Sequence, residues 1–188
     1  MNKLFKDIRH SDVDAVRVAI SKNITVVNEV YTAKAPKKDI GQSPLQVAIK
    51  CGEFEIIELL LENGADPDFM EKPELVPPHS VCMSVLHDAI IGVFSSLCYE
   101  QYISSEKYVN LIEVLLKKGA NPNRKTSSKV LPIGTTVHQA EGILCHESAY
   151  PDIQEIARNR LFEVLDLLIK YGANKEEWLN QDFWGVSN

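Results

Sequence analysis

Leu59-Leu60-Leu61-Glu62-Asn63-Gly64-Ala65-Asp66-Pro67-Asp68 is the stretch that decides the fold, because the chain repeats it twice. It returns as Val114-Leu115-Leu116-Lys117-Lys118-Gly119-Ala120-Asn121-Pro122-Asn123 and, shortened, as Leu167-Leu168-Ile169-Lys170-Tyr171-Gly172-Ala173-Asn174. Each copy is an apolar run ended by glycine, the residue that most easily takes the left-handed conformation that closes a helix. The sequence therefore predicts three helices that end at Gly64, Gly119 and Gly172.

A second phrase precedes each copy. It reads Ser43-Pro44-Leu45-Gln46-Val47-Ala48, then Ser84-Val85-Leu86-His87-Asp88-Ala89, then Thr135-Thr136-Val137-His138-Gln139-Ala140. A serine or threonine before the first turn accepts the free amide hydrogens of a helix start, and a proline in that turn loses no needed donor. We therefore expect helices to start after Ser43, Ser84 and Thr135.

Together the two phrases resemble the ankyrin repeat. The resemblance implies an all-α ankyrin-repeat solenoid of about four helix-turn-helix repeats, which bury their apolar helices by stacking. We expect one domain over 1–188, divided into repeats at about 1–28, 39–68, 82–123 and 134–174 and a C-terminal cap at 175–188.

The two ends of the chain match the repeat least. We call Gly64, Gly119 and Gly172 the helix exits. Aligning Asn23 with them predicts an inner helix over 3–10. Asn23 would then be a left-handed helix exit, for which asparagine is the next best residue after glycine. The polar first helix suits an N-terminal cap. After the last repeat, Trp178, Phe183 and Trp184 are expected to cover its open apolar side.

Every repeat is enlarged. The exits are separated by 41, 55 and 53 residues, whereas ankyrin repeats recur about every 33. In the third repeat, helical spacing continues from Ala89 to Tyr102, with a new cap at Ser104-Ser105, which predicts extended helices there. In the fourth, Pro151-Asp152 predicts an outer helix that begins early. The segments 98–108 and 146–158 are expected to pack together as a helical ledge.

Composition excludes several classes of function. With 26 acidic and 20 basic residues, the net charge of −6 opposes attraction to nucleic acid. No segment approaches the roughly 20 apolar residues that cross a bilayer, and the first residues lack the apolar run of a signal peptide. Four cysteines show no disulfide or zinc spacing. We expect a cytoplasmic monomer with free thiols and no membrane contact.

Catalysis is not indicated. The adjacent pair Cys145-His146 is not a metal-ligand spacing, and no nucleophile elbow or phosphate-binding loop is present. The resemblance gives His87 and His138 a structural role, in which the ring hydrogen-bonds backbone groups between neighbouring loops. We therefore expect no enzyme, no metal and no cofactor.

The resemblance implies that the partner is another protein. It would bind on the concave surface, which is formed by the inner helices and by the fingers, the hairpin-like loops that join one repeat to the next. By position, that surface includes Asp39, Ile40, Gln42, Lys50, Phe69, Met70, Arg124 and Lys125. The proline-rich finger over 69–79 is either half buried or a contact, and the basic finger over 124–129 is expected to be a solvated tip. An alternative is a dedicated immunity protein that neutralises one toxin or enzyme, because a small acidic chain with private insertions suits one cognate partner.

Overall fold

The computed structural model describes residues 3–32, 39–146 and 150–179. Within these ranges the regular structure is helical, apart from an isolated bridge between Met70 and Ser84. The helices are α1 (Lys3–Arg9), α2 (Val13–Lys22), a 3-10 helix (Ile24–Asn28), α3 (Pro44–Cys51), α4 (Phe54–Glu62), α5 (Val85–Cys98), α6 (Tyr102–Lys117), α7 (Pro132–Leu144), α8 (Pro151–Lys170) and α9 (Lys175–Leu179).

The helices form a stack of pairs. The inner helices α1, α3, α5 and α7 pack on one another in chain order, and each packs on the outer helix that follows it. Apolar side chains from all four pairs join one continuous core, which extends from Leu4 in α1 to Leu168 in α8. The all-α ankyrin-repeat solenoid expected from the sequence is confirmed.

The second repeat starts as its sequence predicts. The Ser43 hydroxyl accepts a hydrogen bond from the Gln46 amide at 3.2 Å, and the Gln46 side chain accepts one from the Ser43 amide at 3.3 Å. Pro44 occupies the first turn. This reciprocal capping box satisfies two backbone donors that the helix itself leaves unpaired.

The predicted helix exits hold in three repeats and fail in one. Gly64, Gly119 and Gly172 have φ angles of 85°, 103° and 93°, all left-handed. The prediction for Asn23 is wrong, because its φ is −155° and its backbone is extended. Its side chain instead accepts a hydrogen bond from the Thr25 amide at 3.1 Å and caps the 3-10 helix.

The start of the fourth repeat was predicted one turn too late. Helix α7 begins at Pro132 and not after Thr135, because a proline that follows an extended residue is pre-set for the first turn. Thr136 therefore lies inside the helix, where its hydroxyl donates to the Pro132 carbonyl at 2.9 Å. The shift also leaves His138 exposed, so its predicted structural role is wrong.

The extra length of the third repeat is shared between its two helices. Helix α5 has 14 residues and α6 has 16, against 8 and 9 in the second repeat. The predicted cap at Ser104-Ser105 is wrong, because α6 already begins at Tyr102 after a turn through Glu100, whose φ is 56°. The early start of the fourth outer helix at Pro151 is confirmed.

The predicted ledge exists in part. Helices α6 and α8 pack against each other, and Arg160 lies 3.7 Å from the Glu106 carboxylate across that contact. Ile153 and Ile156 pack on the core. At the start of α6, Tyr102 is 38% exposed and its neighbour Ile103 is 75% exposed. Helices α6 and α8 thus touch each other, while Tyr102 and Ile103 at the start of α6 are exposed.

A recurring side-chain contact joins successive exits, and we call these contacts the exit clamps. Asn28 donates to the Gly64 carbonyl at 2.9 Å and accepts from the Asp66 amide at 2.8 Å. Asn123 makes the same two bonds to Gly172 and Asn174, at 2.9 and 2.7 Å. Between these two clamps, Asp68 accepts from the Asn121 amide at 3.0 Å. The exit clamps fix the spacing of the repeats.

Candidate functional site

The finger that follows α4 folds back over the inner helices, and we call residues 71–83 the finger loop. Its ends are joined by bonds between Glu71 and Met83: the Glu71 amide donates to the Met83 carbonyl at 3.2 Å, and the Met83 amide donates to the Glu71 carboxylate at 2.9 Å. At its middle, Val76 lies against Gly41. A side chain on Gly41 would place its Cβ 2.8 Å from Val76, and the φ of 86° also favours glycine.

A pocket of about 480 Å³ lies between the finger loop and helices α3 and α5. Its walls are mostly apolar, and its polar groups come from both the finger loop and the helices. The lining residues are Ile40, Gln42, Ile49, Lys50, Glu71, Val76, Pro77, Ser80, Val81, Met83, Asp88, Ile91, Gly92, Ser95 and Tyr108. The pocket therefore depends on the enlarged finger, which brings six of these residues.

One ammonium group and two carboxylates lie together in this wall. The Lys50 Nζ is 3.4 Å from a Glu71 oxygen and 3.4 Å from an Asp88 oxygen. Gln46 donates from its amide nitrogen to the other Asp88 oxygen at 2.8 Å and to the Met83 carbonyl at 3.1 Å. Helix α3, helix α5 and the finger loop are thus connected through hydrogen-bonded charges.

Burial and pairing pull the pKa values of this cluster in opposite directions. Burial raises the pKa of Asp88 to about 6, although Lys50 favours its charged form. Burial alone would lower the pKa of Lys50, but its pairing with Asp88 and Glu71 outweighs that effect and raises it. At neutral pH Asp88 and Lys50 are both charged, and carboxylates outnumber ammonium groups in the wall.

The floor of the pocket is the contact between α5 and α6. The Tyr108 hydroxyl donates to the Ile49 carbonyl at 2.6 Å, and its ring packs edge-on against Phe54 at 4.9 Å between centroids. Burial raises the pKa of Tyr108 to about 12. A Cβ on Gly92 would lie 2.5 Å from the Tyr108 ring, so the close approach requires glycine.

The structure brings together three of the residues that the sequence predicts for partner binding. Ile40, Gln42 and Lys50 all line the pocket. Asp39 does not: it is fully buried, and its carboxylate accepts two hydrogen bonds from the Arg9 guanidinium, one of them from Nε at 2.6 Å. Its side chain joins the first two repeats.

The finger residues lie in two different settings. Phe69 and Met70 precede the finger loop and are partly buried, and a role for them in partner contact stays a prediction. Arg124 makes a two-bond contact to Asp68, with its Nε 2.9 Å from Oδ1, and Lys125 pairs with Glu177. The predicted solvated tip is therefore wrong for residues 124–126, whose first two side chains are paired within the chain, whereas residues 127–129 are exposed as expected.

His87 takes the structural role that the sequence predicts. Its Nε2 lies 3.3 Å from the Val130 carbonyl, an acceptor, so this nitrogen carries the proton. Its Nδ1 then accepts from the Ser84 hydroxyl at 2.8 Å. Burial lowers the pKa of His87 to about 4, which keeps the ring neutral.

Sequence reasoning missed the acidic half of the pocket. Glu71 and Asp88 are far from Lys50 along the chain. The finger loop, which begins at Glu71, has no counterpart in the repeat pattern, so the pattern could not place it. One signal was present, since Asp88 is a charged residue inside the otherwise apolar start of an inner helix. Such a residue is almost never fully buried unless it is paired.

Two negative findings apply to the ranges that the structure describes. No group of three or more His, Cys, Asp or Glu side chains is arranged there to hold a metal ion. No helix in the same ranges combines the length and apolar character needed to span a bilayer. The predicted cap residues Phe183 and Trp184 lie outside the described residues, as does the side chain of Trp178.

Comparison with known proteins agrees with the stacked architecture. The family profile described as Ankyrin repeat matches residues 40–72, the second repeat with the start of the finger loop. A fowlpox virus (strain NVSL) protein named as an ankyrin repeat protein, FPV222, is 26% identical over 145 residues. That match covers 71% of this chain and 18% of the viral protein, so the chain spans about a fifth of its length.

Proposed function

We propose that this chain, whose second repeat matches the ankyrin-repeat profile, binds another protein through its fingers and inner helices, because ankyrin repeats generally serve as protein–protein interaction modules. The observation that carries the proposal is the pocket under the finger loop, which three of the predicted contact residues line. The ankyrin repeat family is typically not enzymatic, and we propose a binding role without catalysis.

The available surface is narrower than the one predicted from the sequence. Ile40 and Lys50 at the pocket, with Phe69 and Met70 beside it, are its proposed contacts. Gln42 contributes to the same proposed surface from the wall of the pocket. Asp39, Arg124 and Lys125 are engaged within the chain, and we propose that they support this surface by holding the repeats together.

The test is to block the mouth of the pocket in the full chain. Ser80 is exposed at the pocket, so Ser80→Arg places a large charged side chain there. Partners would be captured by cross-linking and mass spectrometry in the native cell, with Glu58→Arg on the exposed side of α4 as the matched control. We expect Ser80→Arg to lower capture of the main partner at least about tenfold and Glu58→Arg to leave it unchanged.

Equal capture by both variants would contradict the proposed surface. The number of partners separates the two forms of the proposal. A general adaptor would yield several proteins that all depend on Ser80, whereas the immunity alternative requires one dominant partner, a toxin or enzyme that the chain inhibits. A cytoplasmic location and a monomeric state remain predictions from the sequence.

A further inference from the structure

One wall residue of the pocket has an unmet hydrogen-bonding group. Gln42 is only 5% exposed, yet its Oε1 has no hydrogen-bond partner among the described residues. A buried carbonyl without a donor costs about 1–3 kcal/mol, and nearly all such groups in folded proteins are satisfied. Its backbone is fully engaged, since the carbonyl accepts from the Tyr31 amide at 2.9 Å and the amide donates to the Asp39 carbonyl at 3.0 Å.

The free oxygen belongs to a side chain that lines the pocket. The last torsion of a glutamine side chain is soft, so the amide turns toward a donor in the pocket without a change of rotamer. Gln46, which also lies near the pocket, differs from it, because its amide nitrogen is bonded to Asp88 and Met83. The unmet group is therefore specific to Gln42, and it calls for a donor from a bound molecule.

The charges of the wall favour a cationic donor. Glu71 and Asp88 share a single ammonium group, that of Lys50, at 3.4 Å from each. In a partly enclosed site of low dielectric this excess of negative charge attracts a cation more strongly than it would in water. The whole chain carries a net charge of −6, which also steers a basic partner toward it.

The remaining walls suit an aliphatic stem. Val76, Pro77, Val81 and Ile91 contribute apolar surface to the lining of the same pocket. Arginine and lysine side chains bury their methylene groups along such surface and place their charge at the far end. Of the two, arginine has five donors in a planar fork, so it can reach Gln42 and a carboxylate together.

We propose that the pocket under the finger loop is an anchor site for one arginine side chain of the partner protein, whose guanidinium donates to the Gln42 Oε1 and to the acidic wall. This inference rests on the proposed function, because it names the group through which the bound protein is held. The apolar stem lies between Val76 and Ile91, and Ser80 stands at the mouth.

Three small probes test the site without knowledge of the partner. They are the N-acetyl methylamides of arginine, citrulline and norleucine, titrated onto the isotope-labelled full chain and followed by NMR. Citrulline keeps donors but has no charge, and norleucine keeps only the apolar stem. We expect the arginine probe to bind at least about tenfold tighter than the norleucine probe, with citrulline between them.

Variants assign the preference to the unmet oxygen. Gln42→Leu removes the acceptor at similar volume, and Gln101→Leu makes the same change at an exposed turn as the matched control. We expect Gln42→Leu to reduce the arginine preference at least about threefold while the protein stays folded, and Gln101→Leu to retain it. If Gln42→Leu unfolds, Ser80→Arg serves instead, because it obstructs the pocket from an exposed position and leaves Gln42 in place.

Each contrary result has a distinct meaning. Equal binding of all three probes, or tighter binding of norleucine, would overturn the arginine site. So would the absence of any shift at about 10 mM, well above the millimolar constant expected for so small a ligand. If no probe binds while Ser80→Arg still abolishes partner capture, the inference fails and the proposed function stands. If the probes bind while capture is unaffected, the pocket accepts an arginine side chain but does not hold the partner, and both the proposed surface and the anchor role fail.

Discussion

At the exits of the outer helices, a side-chain oxygen at one repeat position accepts a hydrogen bond from a backbone amide of the next exit in three successive pairs of repeats. Between fingers and inner helices, by contrast, every pair is joined by different groups. The exit clamps use Asn28, Asp68 and Asn123 at one repeat position. The other side uses an Arg9–Asp39 pair, then the Lys50 cluster, and then His87. The regular side maintains the stack, and this leaves the variable side free to acquire binding chemistry.

The largest predicted effect is on the variable side, where His87 and Asp88 have opposite pH dependence. Between about pH 4 and 6.5 the unfolded chain protonates His87 and the folded chain does not, so stability rises with pH. Between about pH 4 and 6 the folded chain holds a proton on Asp88 that the unfolded chain releases, so stability falls with pH. In the native protein the two effects largely cancel.

Asp88→Asn should remove that cancellation. The free energy of unfolding of the variant should fall by about 3 kcal/mol more than that of the native protein as the pH is lowered from 7 to 4, because a shift of one pKa unit corresponds to about 1.4 kcal/mol. Urea unfolding at several pH values measures it. The readout is the slope of the unfolding free energy against pH, so a constant loss from the missing Lys50 pair does not affect the comparison. If the unfolding free energies of the variant and the native protein changed with pH in parallel, the opposite pH dependence of His87 and Asp88 would be contradicted.

A second prediction compares two glycines inside inner helices. Gly92 in α5 lies under the Tyr108 ring, whereas Gly142 in α7 faces open space. Gly92→Ala should lower the free energy of unfolding by about 2 kcal/mol, because Tyr108 cannot move without losing its bond to Ile49. Gly142→Ala should raise it by about 0.5–1 kcal/mol through helix propensity. Denaturant midpoints give both values. If Gly92→Ala raised the free energy of unfolding as Gly142→Ala does, the contact between Gly92 and Tyr108 could relax.

The success of prediction from the sequence also differs between the regular side and the variable side of the stack. The exits at Gly64, Gly119 and Gly172 were predictable because glycine carries a local conformational signal. Asn23 was misread because asparagine serves equally well as an exit or as a cap, and only the 3-10 helix beyond it decides between them. The pocket was only half predictable, because the repeat pattern gives the inner-helix positions but contains no position for a finger loop.

The smallest predicted effect concerns the one exit clamp that departs from the others. Asp68 cannot donate to a carbonyl as Asn28 and Asn123 do, and it binds Arg124 instead. Asp68→Asn should therefore change the free energy of unfolding by no more than about 0.5 kcal/mol, because the partly exposed ion pair that it loses is worth little and the donor that it gains restores the common clamp. Asp68→Ala keeps neither contact and should cost about 1 kcal/mol. Chemical unfolding of both variants, with Asn123→Ala as the reference for a lost clamp, compares them directly. A loss with Asp68→Asn as large as that with Asp68→Ala would mean that the Arg124 pair, and not the clamp, holds the second and third repeats together.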